Sequence, residues 1–145
     1  MNNKPIFNWD AEQRIASCVL STGTKVFSGI AQCHPDDEDM MSEKTGCEIA
    51  FRRAKIDLLR DYRNEIEIKL SALNQLYYSM NQSKKFDNKS YEYKMLKRQI
   101  NMYKFDLETV KEQIQQEQDS LREYIENKGK FYTHIRTNRQ KAKTD

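Results

Sequence analysis

Two periods divide this chain. Between residues 14 and 33 apolar and polar positions alternate: RIASCVL (residues 14–20) and KVFSGIAQC (residues 25–33) flank the short polar segment Ser21-Thr22-Gly23-Thr24. Alternation around a glycine, which supplies positive φ without a steric penalty, predicts a β-hairpin. On its second strand Val26, Ser28 and Ile30 share one face, and Phe27, Gly29 and Ala31 the other. Phe7-Asn8-Trp9 can add a third strand. Pro35 then stops the ladder, and the acidic run from Asp36 to Asp39 suits a helix N-terminus, where the dipole favours negative charge.

From Ile49 the period changes to about three and a half. Leu59, Tyr62, Ile66, Leu70, Leu73, Tyr77 and Met80 recur at steps of three and four, which predicts a helix with one apolar stripe. Thr45-Gly46-Cys47-Glu48 fits a capping box and places the start at Thr45. Polar residues gather at Asn81-Gln82-Ser83. Beyond Lys84-Lys85-Phe86-Asp87-Asn88-Lys89, Ser90 fits the N-cap of a second helix. The seam of that helix is Tyr93, Leu96, Ile100, Tyr103, Leu107, Val110, Ile114, Glu117, Leu121 and Tyr124, a heptad pattern with one polar interruption.

The pattern therefore predicts an α+β chain, mostly α. A small N-terminal antiparallel β-hairpin or sheet (residues 1–40) precedes a long, coiled-coil-like antiparallel helical hairpin, with helices over 45–82 and 89–143, in a single domain. The first helix, about 36 residues from 45 to 80, spans roughly 54 Å at 1.5 Å per residue. A second helix retracing it draws level with the start of the first near Ile125. The residues beyond, a basic aromatic segment, then fall beside the sheet.

Composition narrows the classes. Among 145 residues 32% are charged and 37% hydrophobic, with four Gly and two Pro, too few for the frequent turns of a sandwich or barrel. No apolar run approaches the roughly 18 residues needed to span a bilayer, and none follows a basic N-terminus as in a signal peptide. A cytoplasmic protein without membrane contact is expected. Cys18, Cys33 and Cys47 are an odd count without a CxxC pair, which fits reduced thiols. The thin core favours association of long helices with a partner chain.

The net charge of +3 conceals an asymmetry. Residues 1–48 carry four basic groups against eight acidic ones, whereas residues 128–145 carry six basic groups against Asp145 alone. Either the two ends meet, or the basic one attracts an anion.

Candidate chemistry is sparse. Cys33, His34 and the run Asp36-Asp37-Glu38-Asp39 lack the separated spacing of metal ligands, and a charged helix N-terminus is the simpler reading. No Walker loop, GxGxxG, GxSxG or HExxH pattern occurs. No enzyme, metal site or cofactor is expected. The tyrosines at 62, 77, 78, 93, 103 and 124 read mostly as seam packing, and Phe86 and Asn88 as an ordinary turn that a partner could also touch. In the tail, Arg136 and Arg139 lie three apart, with Lys143 a turn further and Phe131, Tyr132 and His134 nearby. Arg forks bind phosphate bidentately and rings stack on bases, so a nucleotide suits this set. A solvated basic helix end is the plainer alternative by residue type. Arg52 and Arg53, which hairpin geometry puts at the same end, tilt the balance toward the nucleotide.

The small sheet, the junction GIAQCHPDDED (residues 29–39) followed by SEKTG (residues 42–46), the long helical hairpin and the ending Phe131-Tyr132-x-x-Ile135-Arg136-x-Asn138-Arg139 together resemble phage proteins of the first-described Thoeris anti-defence family. Nearly the whole chain takes part in the likeness. It implies a non-enzymatic sponge in the cytoplasm of an infected bacterium. Such a sponge holds a cyclic ADP-ribose isomer, and in some members cyclic oligonucleotides, without degrading it. It also implies a homo-oligomer, a dimer or an assembly of dimers. Carried onto this sequence, Arg136, Asn138 and Arg139 contact pyrophosphate and ribose, Phe27, Ser28 and Gly29 form a wall, and Phe131 or Phe51 stacks on adenine; Arg52 joins the candidate set through the hairpin geometry alone. The alternative is a coiled-coil phage inhibitor that contacts a host protein directly or mimics DNA. Nucleic-acid binding through the tail ranks third, because both helices carry many acids.

Overall fold

The structure, a computed structural model, describes residues 4–32, 42–82 and 90–127. Three strands, β1 (Ile6–Asp10), β2 (Ile15–Thr22) and β3 (Lys25–Gln32), precede two helices, α1 (Glu43–Gln82) and α2 (Tyr91–Glu126). The fold is α+β and mostly α. No helix among the described residues is long and apolar enough to cross a membrane.

The sheet is antiparallel in the order β1-β2-β3. Its second hairpin pairs Thr22 with Lys25, so β2 runs two residues further into the polar segment than the sequence suggests, β3 begins at Lys25 as expected, and only Gly23 and Thr24 form the turn. Gly23 has φ +61° and Thr24 does not share the positive value, the pattern of a type II′ turn with glycine first. The first hairpin pairs Asp10 with Ile15. Asp10 Oδ1 accepts from the backbone N–H of Glu12 (3.0 Å) and Gln13 (3.1 Å), and Arg14 turns the chain with φ 53°.

The described residues form two compact units. The first contains everything up to Leu58 and from Gln116 on; the second is Leu59–Gln115. In the first, the period-two pattern buries one face of the sheet. Ala16, Cys18 and Leu20 of β2 and Phe27 and Ala31 of β3 close over Ile49, Ala50 and Ala54 of α1, with Leu121 and Ile125 of α2 completing the cluster. Gly46, Ala50 and Ala54 recur every four residues on α1, and all three are buried. This small-residue stripe lets the helix lie close on the sheet. In the second unit the two helices run antiparallel around Ile66, Val110 and Ile114, with Leu59, Tyr103 and Leu107 packed against them.

The N-terminus of α1 differs from the capping box expected at Thr45. Ser42 is the cap: its Oγ accepts from the backbone N–H of Thr45 (3.1 Å), and its carbonyl accepts the first helical bond, from Gly46 (2.9 Å). The hydroxyl also donates to Thr45 Oγ1 (3.1 Å), so Thr45 is already the third helical residue and Gly46 lies inside the helix. Ser42→Ala should cost about 1 kcal/mol in urea unfolding, the usual value of a lost serine cap. An unchanged midpoint would count against this assignment. Ser90 caps α2 as the sequence indicates, through Tyr93 N–H to Oγ at 3.3 Å. The expected extension of α2 to residue 143 lies outside the described residues.

Candidate functional site

Of the residues that sequence reasoning gathers into a binding site, Phe131, Arg136, Asn138 and Arg139 lie outside the described residues. So do Lys143, His134, Phe86, Asn88, Cys33, His34 and the run from Asp36 to Asp39. The remaining five, Phe27, Ser28, Gly29, Phe51 and Arg52, all fall in the sheet-containing unit.

They do not line one wall. Phe27 and Gly29 sit on the face covered by α1, where Phe27 is buried, and Ser28 projects from the opposite, open face. Three consecutive strand residues cannot face the same way, because side chains alternate across the sheet. Gly29 is pressed under α1 backbone: a Cβ there would stand 2.0 Å from the Ala50 carbonyl oxygen and 2.6 Å from the Ala54 nitrogen. Its role is packing. Phe51 is half-buried against the same cluster, its ring 6.4 Å from that of Phe7 in a tilted arrangement.

The two arginines that follow diverge. Arg52 turns toward α2, where Nη1 donates to Ser120 Oγ (2.9 Å) and the guanidinium lies 5.1 Å from the centre of the Tyr124 ring. Its Nε pairs with Glu48 Oε1, one turn earlier, at 2.9 Å. Next to it Lys55 pairs with Glu117 (3.1 Å), the polar residue that interrupts the α2 seam. Arg53 turns the other way and is buried, with Nη1 donating to the Ile30 carbonyl at 2.8 Å. Thus α1 sets one guanidinium over an aromatic ring beside a carboxylate, and sets the other on the sheet. Such groups hold and orient anions and rings. They are not a nucleophile with its base.

The described thiols are poor nucleophiles in this setting. Burial pushes the Cys18 thiol above its ordinary value, and Cys47 adds to this; burial and then Glu43 raise Cys47. Both remain protonated at neutral pH, whereas reactive cysteines are thiolates. Among the described residues no three His, Cys, Asp or Glu side chains gather to hold a metal ion.

The second unit carries a feature that the sequence reading treats only as packing. Tyr77 and Tyr93 stack with ring centres 5.4 Å apart, and their hydroxyls meet at 2.8 Å. Lys97 Nζ lies 5.6 Å from the centre of the Tyr93 ring, and Lys69 Nζ 6.0 Å from that of Tyr103. The hydrogen bond from Tyr93, then one from Asn81, pulls the Tyr77 phenol below its usual range, with Lys97 and Lys104 contributing. The same bond pushes Tyr93 up. Phenolate absorbance should therefore show one step below and one above the ordinary tyrosine titration. Tyr93→Phe should move the low step up toward the ordinary value, with Asn81, Lys97 and Lys104 still acting on it; a low step that does not move at all would refute the pairing.

On α1, Glu67, Leu70, Asn74 and Tyr78 border an open groove of about 650 Å³. Tyr78, read from the sequence among seam tyrosines, is 66% exposed there. The groove contains none of the expected site residues.

No family model, no curated protein and no solved structure matches this chain.

Proposed function

We propose that this chain is a non-enzymatic binding protein that captures a cyclic nucleotide signal of the cyclic ADP-ribose type, in the manner of a phage sponge against Thoeris immunity. One observation carries the reading. Leu121 and Ile125, in the last turns of α2, are buried in the same cluster as Phe27 and Ala31 of the sheet, so the chain reaches Asn127 within the unit that holds Arg52 and Arg53. The next 18 residues bring six basic groups, among them Arg136 and Arg139, together with Phe131 and Asn138.

The chemistry asked of such a site is holding. Arginine forks donate bidentately to a pyrophosphate, each charge-assisted hydrogen bond contributing about 1.5–3 kcal/mol, and aromatic rings cover the base. Arg52, fixed by Glu48, Ser120 and Tyr124, loses little freedom when an anion arrives. Phe27 and Gly29 pack beneath α1 and Ser28 lies on the opposite face of the sheet, so none of the three belongs to the pocket in this reading. Association of chains into dimers belongs to the same proposal.

Calorimetry with purified cyclic ADP-ribose isomers tests it. The expected result is saturable binding at micromolar or lower concentration, with the unchanged ligand recovered on heating. Arg136→Ala with Arg139→Ala should weaken binding at least about 100-fold, two lost charged contacts. Absence of binding to every isomer, or recovery of a cleaved product, overturns the proposal. A second reading, a protein that acts by contact with another protein, is favoured by the exposed apolar side chains of α2.

A further inference from the structure

The α2 seam in the second unit consists of Tyr93, Leu96, Ile100, Tyr103, Leu107 and Val110, all buried or half-buried. Four other apolar residues of the same stretch stand apart from it. Tyr91, Met95, Met102 and Phe105 follow at steps of four, seven and three, which at about 100° per residue forms a narrow stripe roughly opposite the seam. Tyr91 is 72% exposed, Met102 65% and Phe105 73%, whereas Met95 is half-buried. Outer positions of a helical hairpin are ordinarily polar. Arg98 fills the gap in the stripe and Lys94 borders it, two like charges one turn apart, an unfavourable spacing within the helix itself.

Charge along α2 is divided just as sharply. From Tyr91 to Phe105 there are four cations, Lys94, Lys97, Arg98 and Lys104, against Glu92 alone; from Asp106 to Glu126 there are two cations against seven acids. The helix dipole favours the reverse order, so helix stability does not account for this one. Among the described residues, the ion pairs Lys111 with Glu108, Arg122 with Asp119 and Glu117 with Lys55 lie in the acidic half of α2.

We propose that this outer face, built on Tyr91, Met95, Met102 and Phe105 with Lys94 and Arg98, docks an acidic amphipathic helix of another protein. The apolar stripe supplies the anchors, and the cations select a partner whose flanks carry carboxylates. Through α2 a second copy of this chain is a poor occupant: it offers either the same basic stripe, which repels, or the acidic half, where Glu112, Gln116, Asp119 and Glu123 carry no apolar side chain to meet the anchors. Its α1, which exposes Ile68, Leu76 and Tyr78 near Glu67, is the competing occupant that sedimentation separates from a foreign helix. The inference stands apart from nucleotide capture and survives or fails without it.

The test is fluorescence anisotropy of a dye-labelled synthetic helix with leucines at i, i+3, i+4 and i+7 and glutamates around them, titrated with the full chain. Expected are saturable binding, at least tenfold weaker binding of a scrambled peptide of the same composition, and a similar loss in Phe105→Glu. Arg98→Ala should weaken binding and flatten its salt dependence. Phe105 is exposed, so Phe105→Glu should keep the native circular dichroism and melting temperature; Met102→Ser repeats the test without added charge. The proposal is overturned if the patterned peptide does not bind or the scrambled one binds equally. It is also overturned if Phe105→Glu and Met102→Ser leave binding intact. Sedimentation showing a dimer that Phe105→Glu dissolves would reassign the face to self-association. Binding to phosphatidylserine vesicles that the same variant abolishes would reassign it to a membrane surface.

Discussion

Gly29→Ala should destabilise the sheet-containing unit by about 3 kcal/mol or more, the upper end of what overpacking costs. The added methyl group would meet the Ala50 oxygen at 2.0 Å and the Ala54 nitrogen at 2.6 Å, both backbone atoms of α1, and Arg53 Cβ at 2.9 Å. Backbone inside a helix cannot rotate aside as a side chain end can, so α1 must lift from the sheet or β3 must sink. Either movement opens the cluster formed by Phe27, Ala31 and Ile49. Ser28→Ala, one residue away but on the open face, should change stability by less than about 0.5 kcal/mol. Urea unfolding of the two variants makes the comparison. Equal midpoints would mean that α1 does not rest on β3. The experiment also bears on nucleotide capture, since a loss of binding in Gly29→Ala has to be read together with the loss of fold.

The second large effect is expected at Ile49. Ile49 is fully buried, between β2, β3 and the end of α2, and Ile49→Ala should cost about 3 kcal/mol, within the 2–5 kcal/mol typical of such truncations. Ile68 on the same helix is 71% exposed, and Ile68→Ala should stay within about 0.5 kcal/mol of the parent. Helix propensity slightly favours alanine at both sites, so it cannot produce the difference. Thermal and urea unfolding measure it. A small effect at Ile49 would mean that the sheet and α1 do not share a core.

Period explains which parts of this architecture are legible in the sequence. The alternation of β2 and β3 assigns every residue to its face, and the α2 heptad names each buried position from Tyr93 to Tyr124. Both are set by burial of a single side, which a periodic pattern records directly. Local chemistry is harder to read. Thr45 and Glu48 satisfy the capping-box spacing, yet Ser42 wins the cap and carries α1 through Gly46. The glycine that looks like a break instead begins the small-residue stripe Gly46-Ala50-Ala54, a four-residue spacing that, together with Gly29, could have located the helix-to-sheet contact.

The expected binding site divides for related reasons. Phe27, Ser28 and Gly29 are neighbours in sequence, but the pleat separates them. Arg52 and Arg53 are also adjacent, and the 100° step of a helix sends one to Tyr124 and the other to β3. Tail residues such as Arg136 and Arg139 can be chosen from the sequence by residue type alone, because guanidinium forks and rings suit phosphate and base in any fold. The second stripe of α2 was equally present as spacing. It is overlooked because one heptad already accounts for the helix, and only the exposure of Met102 and Phe105 separates the two sets.

The contact between Arg53 and Ile30 has a consequence for behaviour at high concentration. β3 is an edge strand, and with Thr22 and Lys25 closing the two-residue turn, the alternation of the ladder points the Ile30 carbonyl away from β2. From Val26 to Gln32 the strand has no charge and no proline, the profile of a template on which other strands accrete. The guanidinium of Arg53 occupies a rung of that template. An incoming strand would have to displace it, so one side chain from the covering helix obstructs fibrillar growth on the β3 edge.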